Sequence, residues 1–376
     1  MQTMTSSQFE ASLDALLSNR EFQVDDILID KRNVVIFGAG NSGRHTFSYL
    51  RKHHPNILIK FFVDSNIEKH GSHLYGTEIT SIDAIRPCDV VLIASDFAIE
   101  IAMELRNRGV SEYYYFGFCD DYQRWHKHFN SKYILESKGD IVKVSQLLED
   151  DESRQVLYGL IAFRCTLDPK ELRFSNYPEY LHPKVLPCAN DIIIDGGGYT
   201  GDTAQYFLDF LDGQARVYSF ECDLDNYTKL KLLAKKYAGK LFPHFKALWS
   251  EKTSLQFSTN LNHFESKIVF GNHQNSTEVE AVALDDQFNN VSINFIKLDV
   301  EGAEMHVIDG ASNILASRKS GLSLAISAYH LPSDLWKIPL RLKDLSPNLH
   351  IFMGHHSQKF MASVCYASLL NNCYVE

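Results

Sequence analysis

The sequence has no Cys-x-x-Cys pair. Its seven cysteines, Cys88, Cys119, Cys165, Cys188, Cys222, Cys365 and Cys373, stand apart, and an odd number fits free thiols better than a disulfide framework. It also lacks any apolar run near the roughly 18 residues of a spanning helix. The first 21 residues carry Glu10 and Asp14 and have no basic start followed by an apolar core, so they do not read as a secretory signal. A cationic excess is missing too: 37 Lys and Arg stand against 47 Asp and Glu, for a net charge of −10. That balance argues against nucleic acid as a partner, because binding would need clustered cations to displace counterions. Only 20 glycines and 10 prolines occur in 376 residues, which excludes collagenous and low-complexity classes. The expectation is a reducing, cytoplasmic, globular protein with no membrane span.

The chain is long enough for two or three domains. After a short amphipathic helix at 6–19, Asn33-Val-Val-Ile-Phe37 reads as a buried strand, and a glycine-rich turn leads it into a helix near Arg44. Strands at Ile59–Val63, Val90–Ile93 and Tyr113–Phe116 alternate with helical stretches, which implies a parallel sheet covered on both faces. This first Rossmann-like domain spans 1–118. Residues 119–190 read as a helical and extended connector containing Pro178, Pro183 and Pro187. A second alternation over 191–376 runs through Asp191–Ile194, Arg216–Phe220, Leu241–Phe245, Asn294–Leu298 and Leu322–Ile326. It ends in two strand-like runs, Leu349–Met353 and Met361–Cys365, joined by too few residues for a helical crossover, so they pair antiparallel. The fold class is α/β, with two doubly wound Rossmann-like domains. By analogy of fold, the terminal hairpin separates a class I methyltransferase sheet from a nicotinamide dehydrogenase. Aromatic residues crowd 113–129, where packing is a better use than nucleic-acid stacking, given Asp120 and Asp121.

Two glycine-rich turns carry the candidate chemistry. Gly38-Ala-Gly40-Asn-Ser-Gly43 has the Gly-x-Gly-x-x-Gly spacing, follows a strand, opens a helix, and has Asp64 about twenty residues further on. It suits a nucleotide, with helix amides on phosphate and Asp64 on ribose; glycines that only pack helix on strand explain it equally. The second turn, Asp195-Gly196-Gly197-Gly198-Tyr-Thr-Gly201, departs from that spacing and places an acid at the strand end. It suits S-adenosylmethionine, whose ammonium a carboxylate can engage. Glu221, twenty residues beyond Gly201 at the end of the next strand, is positioned for ribose hydroxyls. Solvated acids at strand ends are the plain alternative.

Around these residues the sequence resembles the FkbM family of S-adenosylmethionine-dependent methyltransferases. The likeness lies in Ile194–Thr203, in Phe220-Glu-Cys-Asp-Leu-Asp-Asn-Tyr227, in Leu284-Asp285, and above all in Asn294-Phe-Ile-Lys-Leu-Asp-Val-Glu-Gly-Ala-Glu304. It runs from about Ser145 to the end and leaves the first domain outside. Phe220-Glu-Cys departs from the family's usual Phe-Glu-Pro, and Gly197-Gly-Tyr from Gly-Ala-Asn; neither change removes a side chain the cofactor needs. The resemblance implies a class I methyltransferase fold and O-methylation of a small-molecule or glycan hydroxyl.

An alcohol is a poor nucleophile, so transfer to it needs a base or a metal. Asp299 ends a predicted strand, Glu301 and Glu304 follow in the turn, and His330 ends the next strand. His330 is the expected general base. Asp299 would position cofactor or acceptor, with Glu301 beside it, and His355 or His356 could join them. Glu304 reads better as a helix cap. Lys297, inside a strand, needs an ion-pair partner. No metal is expected, because no tight His-x-x-x-His pair occurs. Tyr177 and Tyr180 suit a lid or a packing seam. Two other classes stay open: a nucleotide-dependent oxidoreductase or epimerase run from Gly38–Gly43, and a non-catalytic regulatory protein that binds a nucleotide or S-adenosylmethionine.

Overall fold

The computed structural model describes residues 3–18, 24–28, 30–31, 33–117, 128–259, 266–269, 276–359 and 361–369. It forms two compact units, one of 1–145, 154–174 and 357–361, the other of 146–153, 175–356 and 362–376. Residues 119–190, read from sequence as one connector, are thus shared between the units. Part of the aromatic stretch, 118–127, lies outside the described residues. Among the described residues no helix is long and apolar enough to cross a membrane, and Cys88, Cys165, Cys222 and Cys365 are free thiols.

The first unit holds strands β1 (Asn33–Phe37), β2 (Leu58–Val63), β3 (His73–Leu74), β4 (Thr77–Thr80), β5 (Val91–Ile93) and β6 (Tyr113–Tyr115), in the sheet order β3-β4-β2-β1-β5-β6. All pairings are parallel except the short β3–β4 hairpin, which sequence periodicity did not reveal. Val34, Val35 and Ile36 are fully buried, as a central parallel strand covered on both faces requires. At the β1 end, Gly38 has φ +119° and a Cβ there would lie 2.1 Å from the Ala94 carbonyl oxygen. The turn demands glycine for packing alone at this position.

The second unit contains β7 (Ile192–Gly196), β8 (Arg216–Glu221), β9 (Leu241–Phe245), β10 (Ala247–Leu248), β11 (Thr253–Thr259), β12 (Ser266–Val269), β13 (Ser276–Val282), β14 (Phe295–Leu298), β15 (Leu322–Ser327), β16 (His350–His355) and β17 (Ser363–Leu369). Its seven-stranded sheet has the order β16-β17-β15-β14-β7-β8-β9. β7, β8, β9, β14 and β15 run parallel, and β17 lies antiparallel to both β15 and β16. The expected closing hairpin is therefore present. Ile193, Val217, Phe295 and Phe207 are fully buried in one core cluster, each contributing about 1.5–3 kcal/mol through apolar burial.

Chain order reverses between β7 and β14: β8 and β9 lie to one side of β7, β14 and β15 to the other. A crevice opens beyond the carboxyl ends of strands at such a switch point. The turns that follow β7 and β14 are the Asp195–Gly201 and Asp299–Glu304 segments. A second sheet, β10-β13-β11-β12, stands beside them. Its period-two pattern, Leu255 and Phe257 on β11, Val279 and Ala281 on β13, packs with Trp249 and Ala303 in a core of its own.

Candidate active site

The two turns are fitted against each other. Gly197 has φ +75°, and a Cβ there would stand 1.9 Å from the Asp299 carbonyl oxygen; one on Gly198 would stand 2.1 Å from Ser219 Oγ on β8. The glycines thus serve close packing of the β7 turn on its neighbours. Gly196 is the last residue of β7, and Gly201 (φ +94°) caps the helix Asp202–Phe210.

Asp195, expected to meet a ligand's ammonium, is fully buried instead. Its Oδ2 accepts from Ser219 Oγ at 2.7 Å, and Lys297 Nζ lies 3.1 Å from Oδ1. Lys297 also donates to the carbonyls of Gly197 at 2.9 Å and Gly196 at 3.3 Å. Burial would lower the Lys297 ammonium, but Asp195 and then Asp299 more than offset it and hold it above its ordinary value. The structural ion pair expected for Lys297 is there, and it shapes the glycine turn from behind.

Glu221, 8% exposed, accepts from the Tyr199 amide at 2.7 Å and the Asp223 amide at 2.7 Å. Burial pushes its carboxyl up to about 7 against the pull of those amides. A cavity of about 400 Å³ is lined by Gly197, Tyr199, Asp202 and Glu221 together with Asp299 and Glu301, with Lys246 and Phe257 contributed from beside and within the small sheet.

On the β14 side, Asp299 accepts from Tyr329 Oη at 2.9 Å on Oδ1 and from Tyr180 Oη at 3.2 Å on Oδ2. Burial would raise this carboxyl, but Lys297, His330 and the Ser327 and Tyr329 hydroxyls hold it below its usual range. Burial, and then the charge of Asp299, raises both tyrosine phenols, so they stay protonated donors. His330, 2% exposed, lies behind the cavity wall. Its Nδ1 is 2.8 Å from Glu304 Oε1, and its Nε2 is 3.6 Å from Asp299 Oδ1 and 3.5 Å from Glu301 Oε2. Burial favours the neutral ring, yet Glu304, Asp299 and Glu301 together raise its pKa to about 9. Glu304 Oε1 also accepts from the Val300 amide at 2.9 Å, so its capping role and its histidine contact coexist. Glu301 holds φ +55°, a left-handed conformation that costs a non-glycine residue roughly 1–2 kcal/mol.

Asp299, Glu301 and His330 are therefore brought together, as expected, but His355 and His356 are not among them. His355 Nδ1 bonds Ser363 Oγ at 3.0 Å and His356 Nε2 bonds Tyr366 Oη at 2.9 Å. Tyr177 packs edge-on against His182, His356 and Tyr366, while Tyr180 anchors Asp299. Sequence reading missed Tyr329 and Glu179. Burial, then Asp299, raises the Glu179 carboxyl to about 7, and only its place beside Tyr180 could have marked it.

In the first unit, Asp64 is engaged by its own chain. Oδ2 accepts from the Ala39 amide at 2.9 Å and Lys69 Nζ at 2.7 Å, and Oδ1 from the Asn66 amide at 2.9 Å. Gly43 is held by packing, since a Cβ there would lie 1.9 Å from the Gly38 carbonyl oxygen, whereas a Cβ on Gly40 would meet nothing within 4 Å.

A doubly wound sheet closed by an antiparallel hairpin, with two fitted turns and a cavity at its switch point, defines the methyltransferase class of α/β domain. Residues 189–337 match the Methyltransferase FkbM domain, and residues 30–116 match the C2185-like N-terminal family. Among solved structures, the chain is similar to the Methyltransferase FkbM from Methylobacillus flagellatus KT, with 21% identity over 96% of this chain and 98% of that one, at a TM-score of 0.74. This likeness is one of fold. Slighter likenesses reach a putative rRNA-methylase from Clostridium thermocellum (8% identity, 50% of this chain and 90% of that one, TM-score 0.34) and an Aeropyrum pernix fibrillarin in complex with S-adenosyl-L-methionine (14%, 50% and 70%, 0.32). Both TM-scores are too low to bear on function. No curated protein matches the chain in sequence.

Proposed function

We propose that this protein transfers the methyl group of S-adenosylmethionine to a hydroxyl oxygen, with a sugar or glycan as the acceptor class. The observation that carries this reading is that Gly197, Glu221 and Asp299 line one cavity. The turn Gly196–Gly201 takes the cofactor's amino-acid end, with Asp195 acting on that turn through Lys297, and Glu221 takes the ribose hydroxyls. Asp299 and Glu301 orient the acceptor, and His330, held by Glu304 through Nδ1, takes its proton on Nε2 in the neutral form of the ring, the minor form below about pH 9. Transfer is then an in-line displacement at the sulfonium methyl, governed by alignment and proton removal.

Calorimetric titration of the full chain with S-adenosylhomocysteine tests the cofactor assignment: wild type binds, and Glu221→Ala binds weakly or not at all. Transfer of labelled methyl to a panel of sugar acceptors tests the rest, with His330→Ala losing transfer while keeping cofactor binding. A folded wild-type chain that binds no S-adenosylhomocysteine overturns the assignment. The open space at Gly40 favours a second ligand, a nucleotide, at the Gly38–Gly43 turn of the first unit.

A further inference from the structure

Tyr180 and Tyr199 both hold a left-handed backbone, at φ +63° and +45°, a conformation that asparagine adopts readily and a bulky residue only at a cost. For Tyr180 that cost is offset within the core: its amide donates to Tyr366 Oη at 3.0 Å and its hydroxyl to Asp299 Oδ2 at 3.2 Å. Tyr199 has no such compensation. It is 51% exposed, and among the described residues its hydroxyl makes no hydrogen bond and its ring stacks on no other ring. A strained residue whose side chain stands half in solvent at the wall of a cavity marks a functional position rather than a packing one.

The place of Tyr199 is fixed from two sides. It belongs to the Gly196–Gly201 turn, and its amide donates to Glu221 Oε2 at 2.7 Å. Tyr199 and Glu221 line the same cavity. On the methyltransferase reading above, on which this inference rests, the turn takes the amino-acid end of S-adenosylmethionine and Glu221 takes the ribose. The atom that joins those two parts of the molecule is the sulfonium sulfur, so its own connectivity brings that charge beside Tyr199. A cation within about 6 Å of a tyrosine ring is attracted by the ring's quadrupole. We propose that the Tyr199 ring packs on the sulfonium and raises affinity for S-adenosylmethionine relative to S-adenosylhomocysteine, the same skeleton without the charge. The carboxylates of Asp202, Asp299 and Glu301 also line the cavity and favour a cation in it, but they act on the ligand's whole charge, whereas the ring acts at the sulfur. The charge is lost when the methyl group leaves, so the ring's hold on the ligand ends with transfer and the product departs more easily than it would from a site of carboxylates alone.

The test is calorimetric titration of the full chain with S-adenosylmethionine and, separately, with S-adenosylhomocysteine, in wild type, Tyr199→Phe and Tyr199→Asn. The quantity read is the ratio of the two affinities. Tyr199→Phe keeps the ring and is expected to keep the ratio. Tyr199→Asn removes the ring while suiting the left-handed backbone, and is expected to shift the ratio about two- to fivefold against S-adenosylmethionine, with an unfolding midpoint in urea no lower than wild type. A ratio unchanged in Tyr199→Asn, or shifted equally in Tyr199→Phe, overturns the proposal. So does a lowered midpoint in Tyr199→Asn, which would make the ring a packing element. The two readings fail separately: wild type that binds both ligands with a ratio indifferent to Tyr199→Asn removes only the role of Tyr199, whereas a folded wild type that binds neither removes the methyltransferase reading and this proposal with it.

Discussion

Lys297 Nζ, buried within β14, lies 3.1 Å from Asp195 Oδ1 on the adjacent strand β7 and donates to the carbonyls of Gly196 and Gly197. One ammonium thus neutralises a fully buried acid and fixes the backbone of the Gly196–Gly201 turn. Removing one member of such a pair leaves the other charge uncompensated, at a cost of about 3–5 kcal/mol. Lys297→Met is therefore expected to lower the unfolding midpoint in urea sharply. Adding Asp195→Asn should recover a large part of the loss. A double variant no more stable than the single one would show that the carbonyl contacts, not the ion pair, carry the effect.

The glycine turns make a paired prediction. Ala at Gly197 would combine φ +75° with a Cβ 1.9 Å from the Asp299 carbonyl oxygen, so Gly197→Ala should displace the Asp299 turn, destabilise the chain by more than about 1 kcal/mol, and abolish binding of S-adenosylhomocysteine. Gly40→Ala meets open space, and its unfolding midpoint should match wild type. If a nucleotide sits on the first turn, this variant loses nucleotide affinity alone. A strongly destabilised Gly40→Ala would return that glycine to a packing role.

The strand–glycine–helix junctions and Asn294–Glu304 were legible because local periodicity and short spacings encode them. What was not legible depends on which strands become neighbours. His330 reaches Glu304 across 26 residues and Lys297 reaches Asp195 across 102, contacts set by β14 lying between β7 and β15. Asp195 illustrates the consequence. An acid ending a strand beside glycines looks the same in sequence whether it faces a ligand or a buried lysine. The small sheet shows a different limit: its strands were not legible in the sequence, because Leu255 with Phe257 and Val279 with Ala281 are alternations of only two residues each, too short to mark a strand against its surroundings, and their antiparallel pairing is set by the fold. The division of 119–190 between the two units depended likewise on long-range contacts that composition does not report.

The Glu221 carboxyl predicts a pH dependence with a definite sign. Burial raises it from its ordinary 4.5 to about 7, with the Tyr199 and Asp223 amides opposing. Accepting hydrogen bonds from both ribose hydroxyls requires the ionised form, so S-adenosylhomocysteine affinity should be level above about pH 7. Below that pH it should fall by up to about tenfold per unit. For folding the sign is opposite. The native carboxyl takes up its proton at higher pH than the unfolded one, so its contribution to stability is complete below about 4.5 and is lost as pH rises through about 7. Glu221→Gln removes both slopes: weaker affinity that no longer varies between pH 5 and 8, and a flatter stability profile over the same interval. Calorimetry and urea unfolding at four pH values read the two separately. An affinity slope that survives in Glu221→Gln would assign the titration to another group and take Glu221 away from the ribose.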